Sequence, residues 1–117
     1  MGKKVAGTAY VKADGAQFTV TGGVEAPLMD KKRETIAGAP GYYKEEDVPP
    51  YVAVSVVDDP DLPLAQLTVA TDATVTAEFA NGRVYVLSGA YLVGEPAAKA
   101  DDGTIELRWE GIKGVWQ

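Results

Sequence analysis

The sequence of 117 residues contains no cysteine and no histidine. The missing cysteines exclude disulfides, thiolate metal sites and cysteine nucleophiles, and the missing histidines remove the commonest general base and the commonest zinc ligand. Its two serines, Ser55 and Ser88, therefore have no histidine to activate them. Since no convergent catalytic group is present, we expect a protein without enzymatic activity, cofactor or metal site.

Basic residues and long apolar runs are also scarce. Lysine and arginine number 11 against 17 acidic residues, which gives a net charge of −6 and a pI near 4.5. Proteins that bind nucleic acid tightly concentrate basic residues on one face, so that function is disfavoured. No stretch approaches the roughly 18 apolar residues of a membrane span, and no apolar run of signal-peptide length follows the first lysines. We expect a soluble intracellular protein.

The chain length predicts one domain, residues 1–117, and 46% hydrophobic residues suffice for a core. Polar and apolar residues alternate with the period of β-strands. Asp14-Gly15 and Asn81-Gly82 predict hairpin turns, and Gly89 predicts a bulge. The predicted strands are residues 8–12, 17–21, 51–57, 73–79, 83–87 and, as the last, 104–110. Residues 61–67 predict a helix of about two turns. We expect a mainly β fold, an antiparallel β-sandwich or barrel of six to seven strands with one short α-helix.

Residues 23–49, which we call the arm, are charged and rich in glycine and proline, with weak periodicity. A loop of this length in a compact domain is usually functional or disordered. We interpret the arm as a long loop that orders on a partner, with a plain mobile loop as the alternative. Its predicted contact residues are apolar or belong to two runs of opposite charge: Leu28, Met29, Tyr42 and Tyr43; Lys31, Lys32 and Arg33; Glu45, Glu46 and Asp47.

Two further groups of residues each have a functional and a structural interpretation. The acidic run at residues 58–61 could hold a hard cation, but it lacks the glycine turn and distal glutamate of an EF-hand, so a solvated cap before the helix is favoured. Trp109 and Trp116 could form a stacking platform for sugars or bases. Trp109 alternates with Ile105 and Leu107, however, which favours core packing.

Three stretches of the sequence, taken in their order and spacing, carry a resemblance to a known family. Residues 5–12 lead through Asp14-Gly15 into a second strand, residues 32–35 with Gly38 and residues 41–45 lie in the arm, and residues 73–76 with 80–83 form the second predicted hairpin. They resemble the first strand, the long loop and the central hairpin of the tail tube proteins of Mu-like contractile-tailed bacteriophages. The resemblance spans residues 5–111.

The resemblance implies the phage tail tube fold and a structural virion protein without enzymatic activity. Hexameric rings of such subunits stack into a tube inside a contractile sheath, and DNA passes through the lumen into the host without specific binding. The implied partners are further copies of the chain and the tail sheath, baseplate and tail terminator proteins, with no membrane. The implied location is the tail of the virion, after assembly in the host cytoplasm.

Two residue sets follow for such a tube. The arm is expected to join subunits, with its two charged runs pairing between copies. The polar faces of two alternating strands are candidates for the lumen, because their opposite faces need burial. The leading candidates are Thr74, Thr76 and Glu78, and the secondary ones are Glu106, Arg108 and Glu110. The alternative function is a monomeric small β-barrel that binds a carbohydrate or peptide, which requires an aromatic cleft.

Overall fold

The computed structural model describes residues 9–18, 20–60, 64–99, 101 and 103–117. These ranges contain one short helix, α1 (Leu64–Val69), and the antiparallel, mainly β architecture confirms the predicted fold class. The first residues of the predicted helix, 61–63, and the start of the predicted first strand lie outside the described ranges. The strands are β1 (Tyr10–Ala13), β2 (Ala16–Phe18), β3 (Val20–Glu25), β4 (Lys31–Thr35), β5 (Tyr43–Asp47), β6 (Tyr51–Val57), β7 (Ala73–Glu78), β8 (Val84–Leu92), β9 (Ala98–Lys99), β10 (Thr104–Glu110) and β11 (Lys113–Trp116).

Seven strands form a continuous hydrogen-bonded path in the order β2-β1-β7-β8-β10-β6-β3, with β11 joined to β8 and β9 joined to β10. Both predicted hairpin turns are confirmed: β1 pairs with β2 across Asp14-Gly15, and β7 pairs with β8 across Asn81-Gly82. Asp14 and Gly15 both have positive φ, as a tight two-residue turn requires. The long strand β8 pairs first with β7 and β11 and then, at Tyr91 and Leu92, with β10.

The change of partner along β8 divides the path into two sheets. We call β2, β1, β7, the first part of β8 and β11 the first sheet, and β3, β6, β10, the end of β8 and β9 the second sheet. The predicted bulge lies where one residue of β7 faces two of β8, because Ala73 pairs with Ala90 but Val75 pairs with Leu87. Gly89 has a φ of 64° there, and the bulge bends β8 from one sheet into the other.

Replacing Gly89 by alanine is expected to lower the free energy of unfolding by about 1–2 kcal/mol, since an L side chain is strained at positive φ. The new Cβ would also lie 2.8 Å from Ile112 Cδ1. The matched control is Gly23→Ala, because a Cβ at Gly23 meets no atom within 4 Å and its φ is not positive. Urea unfolding of the two variants measures the difference, and equal stabilities would contradict this account of the bulge.

The core lies between the two sheets and confirms the alternation of the predicted strands. Phe18 of the first sheet contacts Trp109 of the second, with ring centroids 5.8 Å apart. Trp109 is 1% exposed, so it is a core residue and not part of an open stacking platform. The other buried apolar residues come from both sheets and include Val11, Val75, Ala77, Leu87, Val52, Val54, Val56, Ile105 and Leu107.

Two predictions of secondary structure were wrong. The strand at 104–110 is not the last, because β11 follows it and pairs with β8. Glycines interrupt the alternation there, and Gly114 is required because a Cβ would collide with the Tyr85 ring. The arm is also not a plain loop, since it contains the end of β3 and the antiparallel pair β4 and β5. The strand count of the described chain therefore exceeds the predicted six to seven.

Candidate assembly surfaces

Residues 31–47 form a two-stranded hairpin, the arm hairpin, which is a separate sheet. β4 pairs with β5 from Lys31 opposite Asp47 to Thr35 opposite Tyr43, and every residue of both strands is exposed. At its base the Val48 amide donates a hydrogen bond to the Asp30 carbonyl at 2.9 Å. The Cα radius of gyration is 16.3 Å, against about 13 Å for a compact domain of this length. The arm hairpin thus projects from the body.

The opposite charges of the arm hairpin pair with each other within one chain. Lys31 Nζ lies 2.9 Å from Asp47 Oδ1, and Lys44 Nζ lies 3.7 Å from Glu34 Oε2. Arg33 Nε lies 2.9 Å from Glu45 Oε1. These partners face each other directly in the antiparallel register, where side chains are closest. Within one chain these charges therefore pair between strands, and their pairing between copies stays a prediction.

The carboxylates also change the acid–base behaviour of the two cations. The hydrogen bond and the charge of Asp47 raise the pKa of Lys31 above its ordinary 10.5. The hydrogen bond and the charge of Glu45 likewise raise the pKa of Arg33. Because a raised pKa means that the folded hairpin favours the protonated lysine, the Lys31 contribution is fully present at neutral pH and is lost as the pH rises through the raised pKa.

Reversing one charge of a cross-strand ion pair is expected to destabilise the arm hairpin. Reversing both charges of the pair is expected to restore its stability. Arg33→Glu places a carboxylate opposite Glu45, so amide hydrogen exchange in β4 and β5 should become roughly twofold to fivefold faster, the range of a cross-strand pair. The double variant Arg33→Glu/Glu45→Arg recreates the pair with its sign inverted and should exchange like the parent. The cross-strand ion pair would be contradicted if hydrogen exchange is unchanged in the single variant, or if the double variant does not return to the rate of the parent.

The tip of the arm hairpin carries no charge from residue 35 to residue 43. Ile36, Tyr42 and Tyr43 are exposed there, and Tyr42 reaches 69% exposure. Arg33 lies over the Tyr43 ring, with its Cζ 5.7 Å from the centroid. At the other end of the hairpin Leu28 and Met29 are exposed as well. The four apolar contact residues predicted in the arm thus divide into a tip pair and a base pair.

A groove of about 540 Å³ lies between the base of the arm hairpin and β11, and we call it the base groove. The Trp116 indole Nε1 donates a hydrogen bond to the Pro27 carbonyl at 2.9 Å, which ties the start of the arm to β11. Burial raises the pKa of Tyr85, whose ring packs on Trp116 in the groove wall. Sequence reasoning missed this groove because it missed β11, although the run of residues 112–116 is largely apolar. The exposed apolar lining comprises Leu28, Met29 and Ile112.

The two candidate lumen sets lie on different sheets. Thr74, Thr76 and Glu78 are on the outer face of β7 in the first sheet, and Glu106, Arg108 and Glu110 are on the outer face of β10 in the second. The core separates the two faces, because the alternate residues of both strands are buried in one cluster. The residues of each set therefore lie together, but the two sets lie on opposite faces of the subunit. Only one of these faces can line the lumen of a tube.

A polar network covers the second-sheet face. Arg108 Cζ lies 4.1 Å from the Tyr51 ring centroid, and Arg108 Nε lies 3.8 Å from Glu110 Oε1. The Tyr51 hydroxyl donates a hydrogen bond to Glu25 Oε2 at 3.2 Å. Burial, together with this bond, raises the pKa of Tyr51. With Glu106 exposed beside Arg108, this face carries three described carboxylates against one guanidinium.

Other candidate sites receive no support from the geometry. A groove of about 760 Å³ borders the second sheet, but none of its described lining residues is aromatic, so it does not match a sugar-binding cleft. Across the described ranges, no group of three acidic side chains is arranged to hold a metal ion.

The acidic run proposed as a helix cap extends to Asp61, outside those ranges. No helix in the described part of the chain is long and apolar enough to cross a bilayer.

Known proteins match this chain over nearly its whole length. A family model described as phage tail tube protein matches residues 2–116. The Mu-like prophage FluMu tail tube protein of Haemophilus influenzae is 28% identical over 114 residues, which cover 97% of this chain and 96% of that protein.

Solved structures with 13% identity or less share the fold. Hcp1 from Flavobacterium johnsoniae superposes with a TM-score of 0.67 at 13% identity, covering 92% of this chain and 93% of that one. A chain in the extended sheath-tube complex of an extracellular contractile injection system, PVC, gives a TM-score of 0.61 at 11% identity, covering 93% of this chain and 87% of that one.

Proposed function

Because this chain belongs to the phage tail tube protein family, and is thus a structural component of a phage tail, we propose that its copies form hexameric rings that stack into the tube of a contractile tail. The observation that carries the proposal is the arm hairpin, whose strand residues are all exposed and which projects from the body of a chain that the family model matches from residue 2 to residue 116. In the described part of the chain no strand outside the arm hairpin pairs with it, so its edges are free to meet another copy.

The edges of the two sheets support assembly into a ring. In the described part of the chain, β3 pairs only with β6, β2 only with β1 and β11 only with β8. Unpaired strand edges are an aggregation hazard for a monomer, and strands joined between subunits into one closed barrel remove it. Cyclic symmetry repeats the same edge-to-edge contact around the ring until it closes.

We favour the second-sheet face as the lumen lining. Among the side chains that the structure describes, it carries Glu25, Glu106 and Glu110 against Arg108, whereas the first-sheet face carries Lys12, Glu78 and Lys113. A wall of negative charge repels phosphates, so DNA passes without binding. Glu106, Arg108 and Glu110 thereby replace Thr74, Thr76 and Glu78 as the leading lumen residues.

Labelling of introduced cysteines tests this choice of face, because the parent chain has no cysteine. Glu106→Cys and Thr74→Cys both place a thiol at an exposed position of an outer strand face. In isolated subunits a bulky polyethylene glycol maleimide should label both equally. In assembled tubes Glu106→Cys should be protected and Thr74→Cys should still react. The reverse pattern would assign the lumen to the first sheet.

The remaining functions follow from the tube. We propose that the tube conducts DNA into the host, that a contractile sheath surrounds it, and that baseplate and tail terminator proteins cover its ends after assembly in the host cytoplasm. The fold shared with a chain of a sheath-tube complex supports a sheath partner. No catalytic step is part of this function, since the chain has neither histidine nor cysteine to carry the usual schemes.

Electron microscopy of the purified protein distinguishes this function from the alternative, a monomeric binding module. We expect rings and tubes in negative stain, together with fast-sedimenting species whose fraction rises with protein concentration. A monomer that persists at every concentration, combined with saturable binding of a sugar or peptide, would overturn the proposal.

A further inference from the structure

We propose that the uncharged tip of the arm hairpin docks in the base groove of a second copy of this chain. The inference rests on the proposed tube function and adds to it the receiving surface. It names a contact between two surfaces of the same subunit type: the tip, residues 35–43, and the groove lined in part by Leu28, Met29, Ile112 and Trp116.

The exposed apolar residues of the chain concentrate on these two surfaces. The four most exposed large apolar side chains of the described residues are Ile112 at 82%, Val69 at 76%, Leu28 at 75% and Tyr42 at 69%. Ile112 and Leu28 line the base groove, and Tyr42 is at the tip. Only Val69, on α1, belongs to neither. Apolar side chains that are solvated in the subunit gain most by burial in a contact.

The tip has the shape of an apolar knob. The Ile36 amide donates a hydrogen bond to the Tyr42 carbonyl at 3.0 Å, so these residues face each other across the hairpin and their side chains lie on the same face. Gly38 and Gly41 both have positive φ, which lets the chain reverse within a few residues. An exposed tyrosine such as Tyr42 is the type of anchor that fills a pocket at protein interfaces, and Ile36 adds apolar area beside it.

The base groove offers apolar contacts to an uncharged occupant. Its wall combines apolar side chains, among them Leu28, Ile112 and Trp116, with the charged residues Asp30, Lys31, Arg33 and Lys113. Lys31 and Arg33 are already paired with Asp47 and Glu45. A charged occupant would lose hydration without gaining a free partner from these two residues. Its volume of about 540 Å³ lies within the range of pockets that enclose several side chains.

The occupant must come from another copy. The strands of the arm hairpin are five residues long, which separates the tip from the base by about 17 Å of paired backbone. The groove lies at the base, so the tip cannot fold back into it without breaking the hairpin. A contact between two different surfaces of one subunit type is heterologous, and it repeats from copy to copy as a tube requires.

Cysteine cross-linking tests the contact, because the parent chain contains no cysteine. Chains carrying Tyr42→Cys are mixed with chains carrying Ile112→Cys, assembled and treated with a short bismaleimide. We expect covalent dimers that contain one chain of each kind. The double variant Tyr42→Cys/Ile112→Cys should give a ladder of multimers, since each copy then offers both surfaces. The matched control pairs Tyr42→Cys with Val69→Cys, which is equally exposed and should not cross-link.

The readouts separate failure of the contact from failure of the tube function. Chains carrying Tyr42→Cys are also mixed with a second groove variant, Leu28→Cys. If both mixtures form tubes of normal appearance but neither gives cross-links, the docking inference is overturned and the tube function stands. Cross-links of equal yield to Val69→Cys would overturn it as well. A parent protein that builds neither rings nor tubes would overturn the proposed function itself.

Discussion

Replacing residues 31–47 with a short Gly-Ser linker is expected to leave a folded β-rich subunit that no longer builds long tubes. The body should fold because the ends of the replaced segment, Asp30 and Val48, are already joined by a 2.9 Å hydrogen bond. No other strand pairs with β4 or β5 in the part of the chain that the structure describes. Burial of Ile36 and Tyr42 in a contact is worth about 3 kcal/mol or more, so their loss should weaken each association step by roughly a hundredfold.

Circular dichroism and urea unfolding measure the first part of this expectation, and tube length in negative stain measures the second. The charge-inverted variant Lys32→Glu/Glu46→Lys is the control, because it changes the same segment at two exposed residues that face each other and do not line the base groove. If the deletion variant still forms tubes of normal length, the arm hairpin is not required for assembly.

Replacing Trp109 by alanine is expected to lower the free energy of unfolding by about 3–5 kcal/mol, the range for loss of a large buried aromatic side chain. Trp109 is fully enclosed between the sheets and packs on Phe18, so its removal leaves a cavity where the two sheets meet. Domains of this size are stable by only about 5–15 kcal/mol, so the variant should be largely deficient in assembly at elevated temperature.

The matched control for Trp109→Ala is Val69→Ala, which removes an apolar side chain from the exposed surface of α1 and should change stability by no more than about 0.5 kcal/mol. Both variants are compared by urea unfolding at protein concentrations too low for assembly. A loss below about 1 kcal/mol for Trp109→Ala would mean that the two sheets do not share the core described above.

The body of the fold was predictable because burial of one strand face imposes a period of two on the sequence. Val52, Val54 and Val56 alternate with less buried residues, and Ile105, Leu107 and Trp109 do the same on the neighbouring strand. The alternation, together with the turn dipeptides, locates the strands of both sheets without any knowledge of their pairing.

The arm hairpin was missed because neither of its faces is buried, so hydrophobic alternation does not arise. The sequence does carry a pattern of charge that indicates the pairing. In an antiparallel register, each residue from Lys31 to Glu34 faces a residue of opposite charge between Asp47 and Lys44. An antiparallel comparison of the two charged runs could have found it. The base groove was beyond prediction, since Pro27 and Trp116 meet only through the long-range placement of β11.

Cryo-electron microscopy of the assembled protein, viewed end-on, is the direct test of ring formation. We expect closed rings with sixfold symmetry and an open lumen, stacked at a constant rise in side views. Particles without a lumen, or a population that stays monomeric at all concentrations, would contradict it.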